Sequence, residues 1–338
     1  MKIAVLSPVA WRTPPRHYGP WEQMASNLTE GLVAQGLDVT LFATGDSLTS
    51  GNLDAVIEMG YEEDRSLDAK VVECLHISNL MERASEFDLI HNHYDFLPLS
   101  YSKLTKTPFI TTIHGFSSEK ILPVYQKYNA NGHYVSISDS NRHPSLEYLA
   151  TVYNGLEVKN FNFNPTPEEY LLFFGRIHPD KGTAEAIDIA IQTNRRLLIA
   201  GIIQDQQYYN ECIAPRLNAD IVYVGSAGPD QRNELLSNAA ALLHPINFEE
   251  PFGLSVAEAM LCGTPVIAFS KGSMPELIAH ERTGFLVSNV DEAAEAVGFI
   301  SSINRQECRT WAAEKFSKEK MVADYLSLYH HILKTDHI

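Results

Sequence analysis

The sequence predicts an α/β protein made of two open domains, each a parallel sheet covered by helices. Three observations carry this. The chain has 338 residues, 45% hydrophobic and 10% aromatic, longer than one ordinary domain and able to bury two cores. Short runs rich in Val, Ile, Leu and Phe recur, each followed by a turn and a helix-period segment, the pattern of parallel strands joined by helical crossovers. These runs fall into two sets with a polar stretch between them.

The first set is KIAVLSP (2–8), DVTLFAT (38–44), FDLIHNH (87–93), PFITTIHG (108–115), YVSIS (134–138) and TVYNG (151–155). The second is LLFFGR (171–176), RLLIAG (196–201), IVYVGS (221–226), ALLHP (241–245), PVIAF (265–269) and GFLV (284–287). KNFNFNPTPEEY (159–170) is polar, carries two prolines and reads as the linker. The expected domains are therefore 1–158 and 159–317. The chain ends in FSKEKMVADYLSLYHHIL, with apolar Met321, Tyr325, Leu328 and Ile332 at helical spacing. Open α/β domains bind ligands beyond the carboxyl ends of their strands, and a large ligand is expected in a cleft between two such domains. The informative polar motifs are accordingly those that follow strands.

Charge limits the partners. Lys and Arg number 26 against 42 Asp and Glu, a formal net charge of −16. Such a field repels nucleic-acid backbones and anionic membrane surfaces, so an anionic ligand needs its own local cations. Cys74, Cys212, Cys262 and Cys308 are scattered, with no C-x-x-C pair, and read as free buried thiols in a reducing compartment. No apolar run approaches the roughly 20 residues of a membrane span, and IAVL (3–6) is too short for the core of a signal peptide. A cytoplasmic protein is expected.

FFGRIHPDKG follows a strand and sets Arg176 and Lys181 five apart in the loop that opens the next helix. Arg offers a planar fork and Lys a point charge, and a diphosphate in a protein this acidic needs both. Standing alone, the pair would read as two surface cations. K-G-T at 181–183 is not the G-K-T of a P-loop, so an ATPase is disfavoured.

EEPFGLSVAEAMLCGTP (249–265) carries three acids. In its P-F-G-L turn, Pro251, Phe252 and Gly253 bring the backbone to a helix beginning near Leu254, whose free amides form an anion site. Glu258 lies about one turn into that helix, and Glu250 lies before the turn. Carboxylates beside a phosphate site make sense as acceptors for hydroxyls, which sugars supply. Any one Glu would otherwise be a solvated helix acid, but the fixed spacing around the turn argues against that. Ser255 in GLSVA faintly resembles a nucleophile elbow, yet INFEEP supplies no strand before it.

His114 ends the strand of IHG (113–115), where it can donate to a sugar hydroxyl, although a lone His there is more often structural. His91 and His93 share a strand face and read as cleft-lining at most. They lack a third ligand at metal spacing, and no D-x-D pair follows a strand, so no metal is expected. In PRHYGPWEQM (15–24), Gly19 allows close backbone approach to a phosphate or sugar. The G-x-G-x-x-G fingerprint of dinucleotide sites is missing.

E-P-F-G-L-S-V-A-E followed by A-M-L-C-G-T-P-V-I-A resembles the signature of the retaining glycosyltransferases of family 4, the glycosyl transferases group 1. G-R-I-H-P-D-K-G resembles that family's phosphate-binding Arg and Lys. Y-G-x-x-E, with L-V-A-Q-G-L-D-V-T-L-F-A-T-G-D-S after it, resembles its amino-terminal domain, so the likeness spans nearly the whole chain. The resemblance implies a GT-B-like fold, two Rossmann-like domains facing a central cleft, with residues 318–338 packing back on the amino-terminal domain. It implies an acceptor site in 1–158 and a nucleotide-sugar site in 159–317.

Carried over by residue, the resemblance implies that Glu250 holds hydroxyls of the donor sugar, Glu258 holds the ribose and His114 contacts the sugar. Arg176, Lys181 and the amides of Gly253 and Leu254 would take the diphosphate. The family often has Gly-Gly where this chain has Gly19-Pro20, and Pro20 has no amide proton to donate.

The expected activity is transfer of a hexose from a nucleoside diphosphate sugar to a carbohydrate or other small, soluble acceptor, with retention at the anomeric carbon. No metal and no cofactor take part in this expectation. The rivals are a nucleotide-sugar epimerase on a similar scaffold, for which no acid/base pair is evident, and an inactive sugar- or nucleotide-binding protein.

Overall fold

The computed structural model describes residues 1–116 and 118–335. The chain divides into two compact units, Met1–Gly155 with the chain from Lys318 on, and Leu156–Ser317. Both are Rossmann-like α/β units with parallel sheets, as expected.

The amino-terminal unit orders seven strands β3-β2-β1-β4-β5-β6-β7. They are β1 Lys2–Leu6, β2 Asp38–Phe42, β3 Asn52–Asp54, β4 Leu89–Asn92, β5 Phe109–Ile113, β6 His133–Ser136 and β7 Ala150–Thr151. Four of the six expected apolar runs hold a full strand, YVSIS (134–138) holds all of β6 but His133, and TVYNG contributes only the end of β7. The short edge strand β3 was not foreseen, because NLD has no apolar run to announce it; it pairs with β2 through Thr40 and Asn52. Helices α1 Pro20–Ala34, α2 Ala69–Glu82 and α3 Leu122–Tyr128 lie between the strands, and Asp68 caps α2 by accepting from the amides of Lys70 and Val71.

The carboxyl-terminal unit orders six strands β10-β9-β8-β11-β12-β13. These are β8 Leu171–Phe174, β9 Leu197–Ala200, β10 Ile221–Gly225, β11 Ala241–His244, β12 Val266–Phe269 and β13 Gly284–Val287, one for each expected run. Its helices are α4 Thr183–Thr193, α5 Gln206–Tyr208, α6 Pro229–Asn238, α7 Leu254–Leu261, α8 Met274–Leu277, α9 Val290–Val297 and α10 Arg305–Phe316. The strand order reverses between β8 and β11, and the carboxyl ends of two strands that diverge in this way are where open sheets bind ligands. In the amino-terminal unit the reversal lies between β1 and β4.

Residues 159–170 are not a free linker. Phe161 and Tyr170 are buried, and the buried guanidinium of Arg305 donates to the carbonyls of Asn164, Ala239 and Ser237 at 2.7, 3.0 and 2.7 Å. The polar stretch is sewn to the carboxyl-terminal unit, and the division falls at Gly155–Leu156 rather than at 158–159.

The last helix, α11 Lys318–Thr335, belongs to the amino-terminal unit. Residues 336–338, the end of the expected terminal segment, lie outside the described residues. Along β1, Ile3 and Val5 point to one sheet face and Ala4 and Leu6 to the other. On the first face α1 and α11 complete a core in which Met321, Val322, Tyr325, Tyr329 and Ile332 are buried. Leu328, expected in the stripe, packs only at its margin, and Tyr329 is buried in its place. The tyrosine hydroxyls are met: Tyr329 OH lies 2.5 Å from His91 Nδ1, and Tyr325 OH 2.6 Å from Thr112 Oγ1. Tyr325→Ala is expected to destabilise this unit by about 3–5 kcal/mol, the cost of a large-to-small aromatic cavity. An unchanged denaturant midpoint would show that α11 does not support the core.

Candidate active site

In the carboxyl-terminal unit the chain leaves β11 at His244 and reaches α7 through the turn at 249–253. Gly253 has φ +90°, a backbone conformation that calls for glycine. No side chain caps α7, which leaves its first amides to an outside acceptor. The turn is fixed from the loop after β12. Gly272 N–H donates to Glu249 Oε2 at 2.5 Å, Ser273 N–H to the Glu250 carbonyl at 3.0 Å, and Ser273 Oγ to the Phe252 carbonyl at 2.6 Å.

This turn brings Glu250 to Lys181, which ends the single helical turn Pro179–Lys181 after β8. The two form an ion pair between side chains only 13% and 14% exposed. The Lys181 ammonium also lies 4.5 Å from the centre of the Phe248 ring. His244 Nε2 approaches Glu250 Oε2 at 3.8 Å, too far for a hydrogen bond, and is buried without a partner. Burial alone would raise the Glu250 carboxyl, but the Lys181 ammonium paired with it outweighs burial and holds the group down at about 2. Burial lowers His244, which stays neutral. Glu250 is thus an ionised acceptor beside a helix start.

Glu258 does not join that pair. It is buried on α7, and Arg232 of α6 reaches its Oε1 at 3.0 Å. Burial raises its pKa while the guanidinium opposes the rise. Arg176 follows β8 and hydrogen-bonds the side chain of Gln204, which follows β9. The carboxyl ends of neighbouring strands in this unit therefore present two cations, one ionised and one buried carboxylate, and an uncapped helix. That set suits an anion that carries hydroxyls. A separate groove of about 1240 Å³, lined by Phe163, Glu168, Arg195 and Glu295 among others, contains none of these residues.

In the amino-terminal unit Gly19 caps α1 with φ +152°, and a Cβ there would lie 2.9 Å from Glu22 Oε2. Pro20 is the first residue of α1, where a missing N–H costs no helical bond. Trp21, next in α1, stacks on His114 with ring centres 5.6 Å apart, so the Gly19 segment and the end of β5 are held together. His114 is 7% exposed, and burial lowers its pKa to about 3. His91 and His93, read as cleft-lining, are instead sealed in the core beside it, and burial lowers both well below the usual range.

Several residues of these arrangements escaped the sequence. His244 and Gln204 sit after strands, a signal that was available. Arg232 and Phe248 of the carboxyl-terminal unit, and Trp21 of the amino-terminal unit, come from helices and turns, which no spacing rule marks. Glu22 is buried in the first turn of α1, and burial pushes it up to about 7. Cys262 and Cys308 are buried free thiols as expected, whereas Cys74 is exposed. Among the described residues no group of three His, Cys, Asp or Glu is placed to hold a metal ion, and no helix is long and apolar enough to cross a membrane.

The chain is similar to known glycosyltransferases in sequence and in fold. An uncharacterized glycosyltransferase of Methanocaldococcus jannaschii is 24% identical over 89% of this chain and 89% of its own. The sucrose-phosphate synthase of Thermosynechococcus elongatus superposes with a TM-score of 0.79 at 19% identity, covering 99% of this chain and 100% of the other. The HepE protein of Anabaena, solved in complex with UDP and also with UDP-glucose, gives a TM-score of 0.75 for the UDP complex at 18% identity, covering 98% of this chain and 100% of the other. Residues 22–160 match the Glycosyltransferase Family 4 model and residues 156–318 the model for glycosyl transferases group 1, so the whole run from the Glu22 turn to the start of α11 belongs to that family of glycosyltransferases.

Proposed function

We propose that the protein is a retaining, metal-independent hexosyltransferase that moves a hexose from a nucleoside diphosphate sugar to a soluble acceptor bound by the amino-terminal unit. The observation that carries this reading is the Glu250–Lys181 pair at the uncapped start of α7, with the buried Glu258 one turn further on. Lys181, Arg176 and the amides of Gly253 and Leu254 take the diphosphate, Pro251 and Phe252 shape the turn, and Glu250 takes hydroxyls of the hexose. Glu258 takes the ribose hydroxyls, its charge supported by Arg232. Gly19 and His114 are the contribution of the amino-terminal unit.

In the reaction the bond from the anomeric carbon to the phosphate oxygen breaks as the acceptor oxygen bonds to the same face of that carbon. The acceptor's proton passes to the departing phosphate. No side-chain nucleophile is needed. The protein's part is to stabilise charge growing on the leaving group, where a fixed cation acts in the transition state more than in the ground state. Once a diphosphate arrives, the Lys181 ammonium lies between two anions, and its bond to Glu250 fixes where that positive charge is presented.

Incubation with a panel of nucleotide-sugars should show slow donor hydrolysis, which needs no acceptor. Failure of every donor either to be hydrolysed or to raise the melting temperature would remove the reading; stabilisation without turnover would mark an inactive binding protein. Activity should survive EDTA, and complete loss restored by Mn²⁺ or Mg²⁺ would overturn the metal-independent mechanism. Lys181→Ala should lower kcat by about 10²-fold or more and cost about 3 kcal/mol of stability, since it leaves Glu250 buried without its cation. A lowered melting temperature with kcat intact would make the pair structural only.

The two glutamates should separate by ligand. Glu258→Gln is expected to weaken donor and free nucleotide diphosphate alike, by roughly 1.5–3 kcal/mol for hydrogen bonds to a charged acceptor. Glu250→Gln should lower kcat strongly while leaving affinity for the nucleotide diphosphate nearly unchanged, because that ligand lacks the hexose. Calorimetry beside steady-state kinetics measures both, and equal loss of nucleotide affinity would misplace Glu250.

A further inference from the structure

Five rings run through the amino-terminal unit in sequence: Tyr325 of α11, His91 of β4, His93, His114 after β5, and Trp21 of α1. Adjacent centroids are 4.7, 4.2, 5.2 and 5.6 Å apart. Only one end of this row has been given a role, through His114. The hydrogen bonds along the row determine which form of His114 is presented.

His93 Nδ1 and His114 Nε2 are 3.0 Å apart, so one of them donates to the other. His93 Nε2 is buried and has no partner among the described residues. A neutral imidazole carries one N–H and one bare nitrogen, and both rings are held neutral by burial. If His114 Nε2–H were the donor, His93 would have to carry its own proton on Nε2, a sealed N–H with nothing to receive it. If His93 Nδ1–H is the donor, the sealed Nε2 is only a bare acceptor, the less rare of the two exceptions in protein interiors. His91 cannot exchange roles with His93, because its two nitrogens are occupied by Tyr329 OH at 2.5 Å and Thr112 Oγ1 at 2.7 Å. His114 Nδ1 has no partner among the described residues and is not one of the sealed, unpartnered atoms.

We infer that His93 is a positioning residue whose Nδ1–H donates to His114 Nε2, fixing His114 as the Nδ1–H tautomer, so that His114 meets its ligand as a hydrogen-bond donor and never as a base. The stacking of His91 on one side and Trp21 on the other sets the ring planes, and the hydroxyls of Tyr329 and Thr112 hold His91 in place. The tautomer follows from the row itself; its use in transfer rests on the reading that His114 touches the sugar.

Long-range ¹H–¹⁵N correlation spectra of the whole chain report the tautomer, with the His114 signals assigned by their loss in His114→Asn. A protonated Nδ1 and a bare Nε2 are expected, and a proton on Nε2 overturns the inference. His93→Phe keeps a ring in the stack without a donor. It should release His114 into a mixture of tautomers and lower kcat for donor hydrolysis by about tenfold or more, the usual effect of losing an outer hydrogen-bond partner, with nucleotide diphosphate affinity unchanged. His93→Asn, whose amide can sit where Nδ1–H was, should restore both tautomer and rate. A released tautomer with unaltered kcat would end the positioning role and place the failure in the sugar-contact reading, leaving the tautomer assignment intact. The wild-type spectrum decides the tautomer even where a variant does not fold.

Discussion

A carboxylate removed from water must be met by a cation or by several donors, and the candidate site in the carboxyl-terminal unit is organised by that demand. Glu250 and Glu258 lie eight positions apart across one turn, and both are largely buried. Each meets a different cation: Lys181 from the segment after β8, and Arg232 from α6. Two ion pairs thus tie the turn to two separate crossover segments of the same sheet. Removing either cation leaves a buried carboxylate uncompensated, so the segment after β8 and helix α6 both help to hold this stretch in place. A site built this way is pre-formed, with little rearrangement left for the moment of binding.

The amino-terminal unit solves a different problem with neutral groups. Three histidines at the carboxyl ends of β4 and β5 are packed into a core, where a charged imidazole would be costly, and burial keeps all three unprotonated. Neutral rings can stack closely, and each can donate from one nitrogen while accepting at the other. The terminal helix takes part through Tyr325 and Tyr329, so the last segment of the chain supports the ring that stands nearest to a ligand role.

The legibility of the chain follows from the range of the forces involved. Parallel strands buried on both faces read as continuous apolar runs, which is why the six runs of the second set each became a strand. The turn before α7 was readable because Pro251 and Gly253 act locally on backbone angles, and Gly253 adopts a positive φ there. β3 was invisible because a three-residue edge strand with a single apolar side chain, Leu53, is defined by its neighbour β2 alone. The segment 159–170 misled because polarity and proline describe exposure to turns, whereas the bonds from Arg305, more than 130 positions later, fix it to one unit.

What the sequence determined by itself, then, is the two-unit α/β plan, the strands, the helix-opening turns and the identity of the charged groups near them, all set by patterns within a few residues. Only the tertiary structure decided the side-chain pairings: Lys181 with Glu250 but Arg232 with Glu258, and His93 with His114. The physical reason is that a charge or an imidazole is satisfied by whichever partner the fold brings within about 3 Å, and the spacing of residues along the chain carries no record of that choice.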